Sequence, residues 1–379
     1  MRVICIAGAR PNFIKIAPIM EAFRAAPEIE PFLVHTGQHY DQKMSDLFFR
    51  ELDIPEPDIS LGVGSGSHAV QTAEIMRAFE PVCLACKPDY VLVVGDVNST
   101  IACGLVAAKL GIRLVHVEAG LRSGDRSMPE EINRVLTDSI SDLLFCTERS
   151  GIENLLREGV RAERIHFVGN VMIDTLLRFR AKAESSTILA RMKLKPGGYA
   201  TMTLHRPGNV DDPAVFSRIL DAIGVIQRDL PLVFPVHPRT RRNLDTLGLK
   251  ERIEQMGNLC LVDPMGYLDF LALNASAKVI LTDSGGLQEE ATILRVPCIT
   301  IRENTERPIT CEVGTNQLAG TRTEAILAAY AKVTRGEFGQ RGIPELWDGS
   351  AATRIADTLV SSKNVVVQGG PALAGRRAA

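Results

Sequence analysis

At 379 residues the chain is longer than a single hydrophobic core usually grows, so two domains are the default. Its 43 basic and 45 acidic residues leave a net charge of −2. That balance argues against the broad basic surface that nucleic acid or an anionic membrane requires. No apolar window reaches the length of a spanning helix. Eight scattered cysteines fit a reducing compartment, which points to the cytoplasm.

The segment Met1 to Gly8 enters a strand at once, with no signal-like stretch or small-residue cleavage site. Short apolar runs then alternate with helical segments, the pattern of a parallel sheet covered on both faces. Strands are predicted at 2–7, 31–36, 90–95, 113–118, 142–147 and 165–168. A polar stretch from Arg178 to Gly198 reads as a boundary helix and linker. A second series of strands follows at 199–204, 231–236, 259–262, 278–282 and 297–301. The expected division is a first α/β domain over 1–175 and a second over 176–349, both doubly wound. A helix at 350–365 is expected to pack back on the first, followed by a flexible tail at 366–379. Two such domains facing each other leave a cleft between their ligand-binding edges. Cys5, Cys103, Cys146, Cys260 and Cys298 lie in apolar runs and read as core residues. Cys83 and Cys86 form a lone CxxC within a helix from about Val70 to Lys87, which favours packing over zinc.

The residues able to do chemistry collect where strands end. The first strand runs into Arg10, Pro11 and Lys15; Pro11 suits the first turn of a helix. Cations gain nothing from a helix N-terminus, so Arg10 and Lys15 there suggest an anionic ligand; two solvated surface cations are the plain alternative. Asp96 and Glu118 end two apolar runs joined by one helical crossover, and Glu130 follows in a polar loop. Three carboxylates at one sheet edge suggest acid–base work. Singly, each has a structural reading. Asp96 can cap the helix near Ser99, Glu118 can pair with Arg122 or Arg134, and Glu130 and Glu131 can be first-turn helix acids.

In the second half, a strand runs into Ser284, Gly285 and Gly286 before a helix opens. Small residues there let a phosphate reach free N–H groups, and Glu290 can accept from ribose hydroxyls. An ordinary turn with Asp283 or Ser284 as N-cap competes with that reading. His205 with Arg206, and His237 with Arg239, end two further strands. Arg307 suits a bidentate phosphate clamp. No HExxH or histidine–cysteine cluster suggests a metal, and no GxGxxG suggests a dinucleotide.

Taken in order, these residues resemble the non-hydrolysing UDP-N-acetylglucosamine 2-epimerases. The match includes Gly8-Ala9-Arg10-Pro11 with Lys15, Gly95-Asp96, His116 to Asp125, Pro129 to Arg134, His205-Arg206-Pro207, Asp283 to Glu290, and Thr305 to Pro308. It runs from the first strand to about residue 320. The resemblance implies two Rossmann-like domains in the GT-B arrangement, a central cleft and a homodimer without a cofactor. It implies removal of the proton at carbon 2 of a UDP-sugar, loss of UDP, and re-addition with reprotonation from the other face. Carried over by motif, Asp96, Glu118, Glu130 and His205 are catalytic. Arg10, Lys15, Arg134, Arg206, His237, Ser284, Gly285, Gly286, Glu290 and Arg307 bind substrate. Glu131 is the competing choice within its pair.

Several positions depart from the commonest bacterial pattern. Asn12 and Phe13 replace Glu and Ala, Gly208 stands where Glu is frequent, and Gln38-His39-Tyr40-Asp41 replaces a loop that in some members holds an allosteric substrate. These changes leave room for a modified UDP-sugar, such as a diacetamido uronic acid. A hydrolysing epimerase, a GT-B glycosyltransferase and a silent UDP-sugar-binding protein are the competing readings.

Overall fold

Val3, Ile4 and Ile6 favour the extended pleat of β1 (Arg2–Ala7). Alternate residues of that strand enter different cores: Val3, Cys5 and Ala7 face one cluster, Ile4 and Ile6 another. A strand buried on both faces belongs in the middle of a twice-covered parallel sheet. Helix Arg10–Ala25 covers one face through Phe13, Ile16 and Phe23. Helices His68–Cys86 and Asn98–Lys109 cover the other through Phe79, Cys103 and Val106. Each such side chain stabilises the fold by about 1.5–3 kcal/mol relative to exposure. The chain is described by a computed structural model covering residues 1–38, 50–338 and 342–368, with backbone only for 10, 11 and 363–368.

Among the described residues, β2 (Glu30–His35), β3 (Ile59–Ser60), β4 (Tyr90–Val94), β5 (Arg113–Val117), β6 (Leu143–Cys146) and β7 (Ile165–Phe167) complete the first sheet. Its order is β3-β2-β1-β4-β5-β6-β7, and every pairing is parallel. The second sheet holds β8 (Ala200–Thr203), β9 (Leu232–Pro235), β10 (Leu259–Val262), β11 (Val279–Thr282), β12 (Cys298–Thr300) and β13 (Asn316–Leu318). Its order, β10-β9-β8-β11-β12-β13, is also parallel and repeats the first. In each sheet the winding reverses beside the first strand, between β1 and β4 and between β8 and β11. Such switch points are where open α/β sheets bind ligands.

Helix Val171–Glu184 lies between the sheets, and its Ile173, Leu176 and Phe179 join a cluster that also holds Val233, Leu271 and Ile280 of the second half. The final helix, Ala351–Gln368, returns to the first half: Ala351 and Ala352 N–H donate to Asp174 at 3.2 and 2.7 Å. Trp347 Nε1 donates to Thr147 O at 2.9 Å just before it. No helix among the described residues is long and apolar enough to cross a membrane.

Some expectations are corrected. β3 and β13 were not anticipated; at two and three residues they carry too little pattern to read. Residues 366–368, expected in the tail, continue the last helix, while 369–379 lie outside the described residues. Cys260 is exposed because β10 is an edge strand, so an apolar run there has only partial cover.

Candidate active site

Register places the first two carboxylates together. Val94 pairs with Val117, and Gly95 N–H donates to Val117 O at 3.0 Å, so Asp96 and Glu118 leave the sheet side by side. Glu118 has φ +70°, a left-handed conformation that costs a non-glycine residue about 1–3 kcal/mol. Such strain persists only where the surroundings over-determine it. Here Lys15 Nζ donates to Glu118 Oε2, both side chains being buried. Gly95 makes this approach possible, since a Cβ there would sit 3.1 Å from Glu118 Oε2 and 3.3 Å from Lys15 Nζ. Lys15 is therefore not a solvated surface cation. Arg10 begins its helix, but its side chain lies outside the described residues.

Asp96 does not cap its helix, whose N-cap is Val97. Its Oδ2 accepts from Arg134 Nε at 2.9 Å and lies 2.8 Å from Nη2. Burial pushes the Asp96 carboxyl up, but Arg134, Lys15 and Arg307 outweigh it and hold it below the usual range. Glu118 pairs with neither Arg122 nor Arg134. Arg122 serves Asp138 and Glu158 instead, and Arg134 serves Asp96, Glu131 and Glu306.

The Glu130–Glu131 pair divides sharply. Glu131 is buried and accepts from Ser123 N at 2.9 Å, Ser123 Oγ at 3.0 Å and Gly124 N at 2.9 Å. It is committed to holding the loop before helix Pro129–Ile140. Glu130 is half-buried with no hydrogen bond or ion pair to a described residue.

The second sheet contributes a histidine–carboxylate pair. Of the two N-cap candidates, Asp283 and Ser284, the cap position belongs to Ser284, which makes no side-chain capping bond. Fully buried, Asp283 accepts from His205 N at 3.0 Å, Arg206 N at 2.9 Å and Asn209 Nδ2 at 3.1 Å. His205 Nδ1 lies 2.9 Å from its Oδ1. Burial pushes the Asp283 carboxyl up, but His205 and the two amides keep it below the ordinary range. His205 is 42% exposed, so this arrangement fixes the ring while leaving its other edge available. His237 stands beside it, ring centroids 6.1 Å apart, and caps helix Pro238–Thr246 by accepting from Arg239 N.

Arg307 is buried at the meeting of the two halves. Its Nε donates to Glu289 at 2.7 Å, Nη1 donates to Glu306, and Nη2 lies 3.7 Å from Glu118 Oε1. Gly285 makes room for it: a Cβ there would lie 2.4 Å from Arg307 Nη1. Glu306 also faces Arg302 at 2.7 Å, Arg206 at 3.6 Å and Arg134 at 3.8 Å. Burial opposes its ionisation, but four guanidiniums, Arg307 first, hold it well below the usual range. The two sheet edges thus meet through alternating charges.

Glu290 is buried against Tyr267, and burial raises its carboxyl to about 7. A raised acid favours folding below its unfolded value, near 4.5, and loses that contribution as pH rises through about 7. Glu290→Gln should therefore gain stability relative to wild type between pH 5 and pH 8, by up to roughly 3 kcal/mol. Denaturant unfolding of both proteins at the two pH values measures this, and Glu148, also raised to about 7, cancels in the difference. Parallel stabilities would refute the assignment.

Of the expected site residues, Asp96, Glu118, Lys15, Arg134, Arg206 and Arg307 form one contact network. Ser284, Gly285 and Gly286 open helix Gly285–Leu294 at the same edge. Sequence alone assigned no function to Asp283, Glu289, His116 or Asp138, because each acts through partners distant in sequence, nor to Glu306, whose local partners Arg302 and Arg307 are joined by Arg134 and Arg206 only in the fold. His39, Tyr40 and Asp41 lie outside the described residues.

Fold and site together define a two-domain α/β enzyme with GT-B-like architecture. The chain belongs to the UDP-N-acetylglucosamine 2-epimerase family, an isomerase family whose model matches residues 21–360. It is 44% identical over 335 residues to a UDP-N-acetylglucosamine 2-epimerase of Methanococcus maripaludis, covering 87% of this chain and 91% of the relative. It is 42% identical over 364 residues to a UDP-2,3-diacetamido-2,3-dideoxy-D-glucuronate 2-epimerase of Pseudomonas aeruginosa, covering 95% and 99%. The Methanocaldococcus jannaschii UDP-GlcNAc 2-epimerase, solved in complex with UDP-GlcNAc and UDP, superposes with a TM-score of 0.89 at 42% identity, covering 95% and 100%.

Proposed function

We propose that the chain inverts carbon 2 of a UDP-linked 2-acetamido sugar, interconverting UDP-N-acetylglucosamine and UDP-N-acetylmannosamine without a cofactor. A carboxylate takes the proton from carbon 2 while the bond from carbon 1 to the diphosphate breaks, its electron pair leaving with UDP. UDP then adds back to the glycal, and a second acid returns a proton from the opposite face.

The observation that carries this reading is the pair Asp96 and Glu118, side by side and matched by cations from both halves of the chain. One carboxylate cannot serve both faces of carbon 2, so two or more are needed. Asp96, Glu118 and Glu130 share the proton traffic. His205, fixed by Asp283, assists at the leaving diphosphate, as do Arg10, Lys15, Arg134, Arg206 and His237. Ser284, Gly285 and Gly286 receive phosphate at a helix N-terminus. Glu290 accepts from ribose, and Arg307 clamps phosphate or sugar. The same reading divides the chain near residue 175 and makes the enzyme a cytoplasmic homodimer supplying cell-surface polysaccharide synthesis.

Incubation with UDP-N-acetylglucosamine in deuterated water should place deuterium at carbon 2 of both epimers. No exchange would reject that substrate. The Pseudomonas aeruginosa relative favours a second reading, the same chemistry on UDP-2,3-diacetamido-glucuronate, and exchange with that sugar alone would select it. Accumulation of free N-acetylmannosamine would instead mark a hydrolysing epimerase.

A further inference from the structure

His116, in β5 beside Glu118, is fully buried and has no part in the mechanism above. Both ring nitrogens face oxygen atoms. Nδ1 lies 2.6 Å from Asp138 Oδ1, and Nε2 lies 2.8 Å from Gly95 O. A backbone carbonyl can only accept, and Asp138 is an acceptor when ionised. The ring satisfies both only with a proton on each nitrogen.

Asp138 itself is held in the ionised form. Burial pushes its carboxyl up, but His116 and Arg122 outweigh that and lower it. Arg122 Nη1 lies 2.7 Å from Oδ2, and Gly120 N–H donates to the same oxygen at 3.0 Å. One carboxylate therefore reaches both catalytic turns. Through His116 it holds the carbonyl of Gly95, the residue before Asp96. Through Gly120 it holds the turn two residues after Glu118. Glu118 holds φ +70° against the preference of a non-glycine residue, so its turn needs such restraint.

We propose that His116, oriented by Asp138, is a positioning residue that sets Asp96 relative to Glu118 for proton transfer at carbon 2. The proposal rests on the epimerase reading for the reaction, but its structural part stands alone. A displacement of a catalytic group by about 1 Å can cost roughly 100-fold in rate, so a single buried hydrogen bond here has a large lever. The surrounding network is fully partnered at the His116 ring, which favours one geometry over an ensemble.

Two substitutions separate the contacts. The amide of His116→Gln reaches where Nε2 stood and can still donate to Gly95 O. The amide of His116→Asn reaches only where Nδ1 stood and keeps only Asp138. With UDP-N-acetylglucosamine, kcat should fall roughly 10-fold in His116→Gln and roughly 100-fold in His116→Asn. KM and UDP affinity, by calorimetry, should stay near wild type in both. Equal losses in the two variants, or losses that track melting temperature, would overturn the positioning role. A measurement on the wild-type protein guards against misfolding of either variant. In 15N-histidine spectra His116 should show protons on both ring nitrogens, and a ring protonated on Nδ1 alone would refute the contact to Gly95. That spectrum does not depend on turnover. Failure of the epimerase reading would appear separately, as wild-type protein without carbon-2 exchange.

Discussion

Glu118→Gln lowers turnover by roughly 100-fold or more, the usual scale of a lost general acid–base group, and leaves UDP binding close to wild type. The reasoning starts from the charges around it. Glu118 pairs with Lys15 and faces Arg307 at 3.7 Å, and its Oε1 has no hydrogen-bond partner among the described residues. Glutamine keeps the shape but cannot carry a proton between solvent and substrate. Removing the negative charge leaves both cations freer to hold a diphosphate, so affinity for UDP should not weaken. Steady-state kinetics and calorimetry with UDP measure the two effects. Near-normal turnover would remove Glu118 from the mechanism, and lost UDP binding would move it into the binding site.

The second large effect is on stability. Arg307→Met removes the one cation among the described residues that pairs with Glu289, Glu306 and Glu118 together. Breaking a buried pair from one side typically costs about 3–5 kcal/mol, because the surviving charge stays buried without compensation. The loss falls mainly on Glu289. Glu306 keeps Arg302 at 2.7 Å, whereas Glu289 is fully buried and its Oε2 has no hydrogen-bond partner among the described residues. Burial pushes the Glu289 carboxyl up against the pull of Arg307, so without Arg307 it takes up a proton. Adding Glu289→Gln should therefore restore part of the lost stability, at least about 1 kcal/mol. Denaturant unfolding of the single and double variants at pH 7.5 tests this. A double variant no more stable than Arg307→Met would show that Glu289 is not the residue left stranded.

Much of the fold was legible because the strands are buried on both sides. Val91-Leu92-Val93-Val94 and Leu114-Val115-His116-Val117 leave little choice but central parallel strands. Asp96 and Glu118 could be placed at one edge because a carboxylate directly after such a run must leave the sheet there. The partners of those carboxylates were not legible. Arg134 reaches Asp96 across 38 residues, and Lys15 reaches Glu118 across 103. Nothing local distinguishes these cations from solvated ones. The role of Asp283 was hidden for the same reason. Its local signature is that of a helix cap, and only the pairing of β8 with β11 brings His205 to it. Glu131 and Glu130 look alike in sequence, and the Ser123–Gly124 loop separates them.

The return of the last helix has a mechanical consequence. The chain passes between the sheets twice, once after β7 and again beside Trp347 before Ala351–Gln368 settles on the first half. A single connection would let one half swivel as well as tilt. The two segments pack together, Arg354 Nη1 donating to Val168 O at 3.0 Å and a Cβ at Gly169 falling 2.0 Å from Leu346 O, so they form one doubled hinge that resists swivel and leaves bending. Motion of that kind returns the same groups to the same partners at every cycle. That repeatability matters if UDP, once expelled, must find the same carbon again before it escapes.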